Sequence, residues 1–188
     1  MKHKNVEKQL ILILGGARSG KSACAENLAR QGERTLFVAT AEALDDDMRR
    51  RISIHRERRP ATWNTLEEPL DPVAAIPAAL SGQDMLLLDC LTVWVSNLLL
   101  ELEDSADAEN KILARADALL DLYERTDASW ILVSNEVGLG VVPASALGRG
   151  YRDVLGRVNQ LVASRADKVY LMVAGLALEL KSLAGQPW

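Results

Sequence analysis

The stretch LILILGGARSGKSACAENLAR, residues 10–30, runs from five apolar residues through a glycine-rich loop into a segment with helical spacing. Its central residues, Gly15 to Ser22, satisfy the pattern G-x-x-x-x-G-K-[ST], which here follows a predicted strand and precedes a predicted helix. In this arrangement, successive backbone N–H groups and the positive end of the helix dipole surround a chain of phosphates. The stretch therefore predicts a nucleoside triphosphate site in an α/β protein.

Two side chains of this loop carry the expected chemistry. Lys21 is predicted to reach the β and γ phosphate oxygens, and Ser22 is predicted to be a ligand of Mg²⁺. The alternative is a strand-to-helix turn that merely happens to be rich in glycine, which the complete pattern and its context disfavour. The motif predicts the ligand but leaves the reaction open.

Apolar runs of strand length recur along the chain, and segments with helical spacing separate them. The runs are 10–14, 35–39, 85–89, 130–134 and 168–173. Continuous runs suit strands that are buried on both faces, and their alternation with helices predicts right-handed crossovers. We therefore predict a P-loop α/β fold with a mostly parallel sheet and helices on both faces. Residues 177–181 are predicted to add an antiparallel edge strand, and residues 103–110 to form an exposed connection.

Length, charge and cysteine content exclude several classes of protein. The chain has 188 residues and a net charge of −4, which predicts one domain over residues 1–188 and argues against a surface made for nucleic acid. Cys24 and Cys90 lack metal-ligand spacing and are predicted to be buried thiols rather than a disulfide. The first apolar run is too short for a signal peptide or a membrane span, which predicts a cytoplasmic protein.

A carboxylate stands at the end of the third apolar run. Asp89 follows LLL in the position where a P-loop protein places an acidic residue on the magnesium side of the phosphates. The alternative is that Asp89 caps a helix that begins at Leu91. We favour the magnesium site because the glycine loop already predicts a nucleotide.

The segment DDDMRRRISIHRERRPATW, residues 45–63, is unusually basic. Six arginines between positions 49 and 59 surround His55, one of two histidines in the chain. His55 is either a half-buried structural residue of a helix or a nucleophile. The arginines could form a patch for nucleic acid, a solvated face paired with Asp45, Asp46 and Asp47, or a site that collects nucleotide phosphates while neutral imidazole attacks one of them.

From about residue 10 to residue 181, the chain resembles the bifunctional adenosylcobinamide kinases/adenosylcobinamide-phosphate guanylyltransferases of cobalamin biosynthesis. The likeness rests on four motifs in order: GGARSGKS, VATAEALDDDMRRRISIHRERRP, LLLDCLTVWVSNLL, and VSNEVGLGVVP followed by YRDVLGRVNQLVASRADKVYLMVAGLALELK. The resemblance implies a P-loop fold related to RecA, a homotrimer, and a histidine in a His-x-x-x-Arg-Pro segment that accepts GMP from GTP. That role would pass to His55.

The resemblance also implies which residues contact GTP. They are Gly15, Gly16, Ala17, Arg18, Ser19, Gly20, Lys21, Ser22, Thr40, Ala41, Glu42, Arg56, Glu57, Arg58, Arg59, Glu67 and Asp89. Asn135 and Glu136, after the fourth apolar run, either touch nucleotide or corrinoid or belong to a plain turn. Four tryptophans are interpreted as core or interface packing rather than as corrinoid platforms. They are Trp63, Trp94, Trp130 and Trp188.

The function implied by the resemblance has two steps and uses Mg²⁺ with ATP or GTP. The hydroxyl of adenosylcobinamide first takes a γ-phosphoryl group, with Lys21, Ser22 and Asp89 on the phosphates. His55 then takes GMP from GTP and passes it on, which gives adenosylcobinamide-GDP. The rivals are a kinase of another small metabolite with a structural His55, and a nucleotide-dependent nucleic-acid-binding module, which the net charge opposes.

Overall fold

A computed structural model describes residues 7–42, 50, 56 and 59–183 of the chain. A sheet of seven strands, in the order β3-β2-β4-β5-β1-β6-β7, organises this part of the chain. The strands are β1 (Leu10–Gly15), β2 (Thr35–Ala39), β3 (Asn64–Glu67), β4 (Met85–Asp89), β5 (Ser129–Val133), β6 (Lys168–Val173) and β7 (Leu176–Glu179). The helices are α1 (Lys21–Ala29), α2 (Pro72–Ala79), α3 (Leu91–Glu101), α4 (Ala108–Glu124), α5 (Ala146–Arg165) and α6 (Leu180–Leu183).

The sheet is parallel except at one edge. Strands β1 to β6 pair in parallel, and β7 pairs antiparallel with β6. The predicted antiparallel edge strand is therefore confirmed, but its bounds were wrong because Leu180 begins a short helix. A tight turn of Ala174 and Gly175, with φ values of 51° and 83°, joins the two strands.

The sequence did not predict β3. Its residues, NTLE, include one apolar side chain, Leu66, because the strand lies at the sheet edge and pairs only with β2. The connection predicted over 103–110 is also shorter than expected, since α4 begins at Ala108.

Strands β1, β2, β4 and β5 are buried because helices cover both sides of the sheet. Strand β6, which was predicted to be buried on both faces, is only partly buried, and the edge strands β3 and β7 are mostly exposed. Alternate residues of β1 point to opposite faces, so that Leu10 and Leu12 belong to the core shared with α2 to α5, while Ile11 and Ile13 belong to the core shared with α1. The expected P-loop-type α/β architecture is confirmed. Among the helices of the described ranges, none has the length and apolarity needed to cross a membrane.

Trp94 and Trp130 belong to the core, where both side chains are fully buried. The indole N–H of Trp94 donates to the Leu70 carbonyl at 3.0 Å, and the Trp130 ring packs edge-on against Tyr123 with 5.8 Å between centroids. The packing role predicted for these two residues is therefore confirmed. Trp188 lies outside the described residues.

Candidate active site

The strand order brings three loops together at the carboxyl edge of the sheet. β5 lies between β1, which leads into the glycine loop, and β4, which ends at Asp89. Val133 on β5 is in register with both Ile13 and Asp89. In an open parallel sheet, the crevice outside the carboxyl ends of the strands is where ligands bind.

Glycine is required at two positions of the loop between β1 and α1. A Cβ added at Gly15 would lie 2.6 Å from both the Met172 carbonyl oxygen and Ser19 Oγ. Gly20 is the N-cap of α1 with φ of 99°, in the left-handed region where other residues are strained. These two glycines let the backbone curl tightly around the start of α1.

Neighbouring loops hold the glycine loop from both sides through backbone hydrogen bonds. The N–H of Glu136, after β5, donates to the Gly15 carbonyl at 3.1 Å. The N–H of Gly175, in the turn between β6 and β7, donates to the Ser19 carbonyl at 3.0 Å. The loop is therefore braced in its curled form by the protein itself.

Lys21 begins α1 and is only 8% exposed. Its Nζ donates to the Gly16 carbonyl at 2.7 Å. Burial lowers the pKa of Lys21, and electrostatic interactions with Cys90 and Asp89 oppose that shift. A phosphate beside the ammonium would favour its charged form and reverse the effect of burial.

The rest of the glycine loop offers polar groups to an anion. Ser19 Oγ is buried and has no hydrogen-bond partner within the described ranges. Ser22 is half-buried in the first turn of α1, while Gly16, Ala17 and Arg18 are exposed. An orphaned hydroxyl and exposed loop residues at a helix N-terminus suit a bound phosphate chain.

Asp89 ends β4 on the far side of β5 from the glycine loop, and its side chain is half-buried. Its charge acts on the pKa values of both Lys21 and Arg59, raising each against burial. The N-cap of α3 is Cys90, so the alternative in which Asp89 caps this helix is wrong. Asp89 therefore belongs to the electrostatic environment of the crevice.

Thr40 follows β2 and is fully buried. Its Oγ1 donates to the Cys90 carbonyl at 2.8 Å and accepts from the Cys90 N–H at 2.9 Å. The Thr40 carbonyl accepts from the side-chain amide of Asn97 on α3 at 2.9 Å. Thr40 thus joins the ends of β2 and β4 next to Asp89, while Ala41 is half-buried and Glu42 is exposed.

Arg59 connects the arginine segment to the sheet. Its guanidinium carbon lies 3.4 Å from the centroid of the Phe37 ring, and its Nε is buried without a partner in the part of the chain described. Burial lowers its pKa, an effect opposed chiefly by Asp89 and Glu26. A cation whose charge is disfavoured by burial, next to an acidic residue, is suited to binding an anion.

The remaining predicted residues are at β3, after β5 or outside the described residues. Arg56 pairs with Glu67, at the end of β3, and both side chains are more than half exposed. His55, Glu57 and Arg58 lie outside the described residues. Asn135 and Glu136 follow β5 after Ser134 and lie beside the glycine loop.

Both cysteines are thiols with no disulfide, as predicted, but each residue is half-buried rather than fully buried. Burial raises the pKa of the Cys90 thiol to about 12 and raises that of Cys24 as well. A raised pKa keeps a thiol protonated and inert near neutral pH. Neither cysteine therefore has the properties of a nucleophile.

A glycine loop around the N-terminus of a helix, a buried lysine and an aspartate across one strand define a P-loop nucleotide-binding protein. A solved structure of an ATPase from the type III secretion system of pathogenic bacteria has the same fold, with a TM-score of 0.53 and 14% identity. The match covers 91% of this chain and 56% of the ATPase chain.

The model of the cobinamide kinase / cobinamide phosphate guanyltransferase family matches residues 11–180, and the chain belongs to this family. The bifunctional adenosylcobalamin biosynthesis protein CobP of Pseudomonas aeruginosa is 47% identical over 94% of this chain and 98% of its own. The bifunctional adenosylcobalamin biosynthesis protein CobU of Salmonella typhimurium is 42% identical over 92% of this chain and 99% of its own. The expected family and the expected enzyme class are confirmed.

The sequence did not predict the polar helix residues that bond to the backbone of the site loops. Thr92 and Asn97 on α3 and Asn159 on α5 bond to the loops after β5 and β2. The available signal was a hydrophilic side chain on an otherwise apolar helix face, as at Asn97 in LTVWVSNLLLE. Such a residue needs a partner in the core, and here the partner is the backbone of a site loop.

Proposed function

We propose that the crevice carries out phosphoryl transfer from ATP or GTP to the hydroxyl of adenosylcobinamide. The observation that supports it most directly is the braced glycine loop with buried Lys21 and, one strand away, Asp89. The hydroxyl oxygen bonds to the γ-phosphorus, the bond to the β-phosphate oxygen breaks, and the hydroxyl proton is released. Lys21 and the backbone N–H groups of the loop stabilise the charge that passes to the nucleoside diphosphate.

Ser22 and Asp89 are the residues proposed to hold Mg²⁺. Within the described ranges, no three His, Cys, Asp or Glu side chains are grouped as a metal site. This fits magnesium, which uses one or two protein oxygens together with substrate phosphates and water. When bound, Mg²⁺ neutralises charge on the phosphate oxygens.

The second proposed step is GMP transfer through His55. A nitrogen of neutral imidazole attacks the α-phosphorus of GTP, pyrophosphate leaves, and a P–N bond holds GMP on the protein. A phosphate oxygen of adenosylcobinamide phosphate then attacks the same phosphorus and releases the histidine, giving adenosylcobinamide-GDP. Arg59 supports this step, because its side chain brings a cation from the His55 segment to the carboxyl edge.

The test of His55 is mass spectrometry of the intact protein after incubation with GTP and Mg²⁺. We expect one added GMP on the unmodified sequence and on a His3→Asn variant, and none on a His55→Asn variant. His3 is the matched control because it is the other histidine of the chain. Asparagine keeps a polar side chain but cannot act as a nucleophile.

The two half-reactions are measured side by side in these variants. Phosphorylation of adenosylcobinamide should survive in His55→Asn, since transfer to a hydroxyl depends on the glycine loop and not on imidazole. A GMP adduct that persists in His55→Asn would exclude the histidine. An adduct that resists acid would also contradict a phosphoramidate, which is acid-labile and stable to base.

We also propose that the enzyme acts in the cytoplasm as a homotrimer, without nucleic acid as a partner. Apolar side chains exposed on the β6–β7 hairpin, at Val173 and Leu176, are compatible with contact between copies. The net charge of −4 is unfavourable for broad binding to nucleic acid. Light scattering after size-exclusion chromatography tests the trimer, and a monomer would contradict it.

A further inference from the structure

Side chains from two helices hold the backbone of Asn135, the second residue after β5. Its N–H donates to Thr92 Oγ1 on α3 at 2.6 Å. Its carbonyl accepts from the Asn159 side-chain amide on α5 at 3.2 Å. Both backbone hydrogen-bonding groups of Asn135 are thus fixed by buried side chains rather than by a neighbouring strand.

The two residues that hold Asn135 are themselves fixed. Thr92 is 7% exposed, and its carbonyl accepts from the Tyr151 hydroxyl at 3.2 Å. Asn159 is 5% exposed, and its Oδ1 is buried without a partner in the described part of the chain. A buried, unpaired amide oxygen is unfavourable, and an apolar side chain of similar size would avoid it. The amide at position 159 is therefore explained by the hydrogen bond that it donates to Asn135.

The clamped residue lies between the glycine loop and Asp89. The residue before it, Ser134, donates its N–H to the Ile13 carbonyl at 2.9 Å, and Glu136 donates to the Gly15 carbonyl at 3.1 Å. On the other side, Asp89 is in register with Val133.

The Asn135 side-chain amide forms no hydrogen bond within the described ranges, and the residue is half-buried. Unlike the Asn159 oxygen, the Asn135 amide is not fully buried, so it is accessible to a ligand.

We propose that the Asn135 amide is a catalytic group that donates to the γ-phosphoryl group during its transfer, and that Thr92 and Asn159 are its positioning residues. The inference rests on the proposed phosphoryl transfer at this crevice. A neutral donor held rigidly at the transferred group stabilises the charge of the transition state without reorganisation. Attack at the α-phosphorus does not transfer the γ-phosphoryl group, so GMP transfer should depend on Asn135 much less.

The first test compares kinase turnover with GMP adduct formation in Asn135→Ala and Asn135→Asp. Loss of one such donor typically lowers kcat about 100-fold, and we expect that fall in the kinase step with saturating nucleotide. The KM for nucleotide should change little, because the contact forms in the transition state. Asn135→Asp keeps the side-chain shape and both backbone hydrogen bonds. It therefore tests the amide donor even if the alanine variant fails to fold. Adduct formation should fall less than about threefold.

The second test concerns Thr92, whose hydroxyl oxygen accepts from the Asn135 N–H. Thr92→Val keeps the shape but removes the acceptor, and we expect a fall of about tenfold in kinase kcat with an unchanged KM. Thr92→Ser keeps the oxygen and should restore turnover. In an Asn135→Ala background, Thr92→Val should have little further effect, because residues that act as one unit are not additive.

The outcomes separate this inference from the proposed function. An unmodified protein that neither phosphorylates adenosylcobinamide nor takes up GMP would overturn the proposed function. If both steps occur and Asn135→Ala and Asn135→Asp keep full kinase turnover, the role of Asn135 is wrong and the function stands. If Thr92→Val lowers both half-reactions equally, or if Thr92→Ser does not restore turnover, Thr92 is structural only.

Discussion

The two edges of the sheet use charged side chains in different ways. At the amino edge, the Asp84 carboxylate accepts from the backbone N–H groups of Glu33 and Arg34 at 2.9 and 2.8 Å. Asp167 in the same way accepts from the Leu10 N–H at 2.7 Å. These carboxylates accept hydrogen bonds from backbone N–H groups at the starts of β1 and β2. They thereby hold together the loops at the amino edge.

At the carboxyl edge, charged groups are gathered where burial disfavours their charge. Burial lowers the pKa values of Lys21 and Arg59, and the acidic groups nearby only partly oppose it. Cations held in this way are poised for an anion that the protein itself does not supply. One edge of the sheet is therefore built for stability and the other for a ligand, and the variants of Lys21, Asp89 and Asp84 test that division.

The largest effect is expected from Lys21→Ala. The variant removes the ammonium that compensates phosphate charge, so kinase kcat with saturating nucleotide should fall about 100- to 1,000-fold. The free energy of unfolding should change by less than about 1 kcal/mol, because the lysine lies in a loop-to-helix junction and its charge is disfavoured there. Steady-state kinetics and urea unfolding of the same sample measure both quantities.

Lys8→Ala is the matched control at the amino edge. Lys8 also donates to a backbone carbonyl, that of Glu124 at 3.0 Å, and lies 4.3 Å from the centroid of the Tyr123 ring. Its removal should leave kinase turnover unchanged. Near-normal turnover in Lys21→Ala, or equal losses in both variants, would contradict the assignment of Lys21.

The next largest effect is expected from Asp89→Asn. Asparagine keeps the shape but removes the charge proposed to hold Mg²⁺, so activity should fall about 10- to 100-fold at limiting magnesium. Raising the magnesium concentration should recover part of the loss, because the substrate phosphates remain as ligands. The measurement is a magnesium titration of the kinase rate, and an unchanged titration midpoint would remove Asp89 from the magnesium site.

The sequence predicted the carboxyl edge better than the amino edge. A glycine loop requires particular residues at fixed spacing, as at Gly15, Gly20 and Lys21, so its signal is local. Five strands were likewise predicted because continuous apolar runs such as MLLLD are recognisable without knowledge of their neighbours, although one of them, β6, is only partly buried. Family resemblance then supplied the reaction, which the P-loop pattern alone leaves open.

What the sequence did not predict depends on contacts between distant residues. The bonds from Thr40 to Cys90 and from Thr92 to Asn135 join positions about 50 and 43 residues apart, and no spacing rule connects them. Strand β3 is exposed at an edge and therefore lacks the apolar run of a central strand. Asp84, in SGQDM before β4, has the composition of an ordinary turn, so its role required the structure.

The smallest effect is expected from Asp84→Asn, at the opposite end of β4 from Asp89. Asparagine keeps one acceptor oxygen for the N–H groups of Glu33 and Arg34 but loses the second oxygen and the charge that strengthens these bonds. The free energy of unfolding should fall by about 1 kcal/mol, measured by urea unfolding with an unchanged slope.

Kinase turnover and its magnesium titration should be unchanged in Asp84→Asn, because Asp84 lies at the amino end of β4 and Asp89 at its carboxyl end. The two aspartate variants form a matched pair on one strand with the same chemical change. A shift in magnesium dependence for Asp84→Asn would mean that the change propagates along β4, and the division between the edges would fail. Stability loss without a kinetic change would assign the carboxylate at this end only to joining the loops that precede β2 and β4.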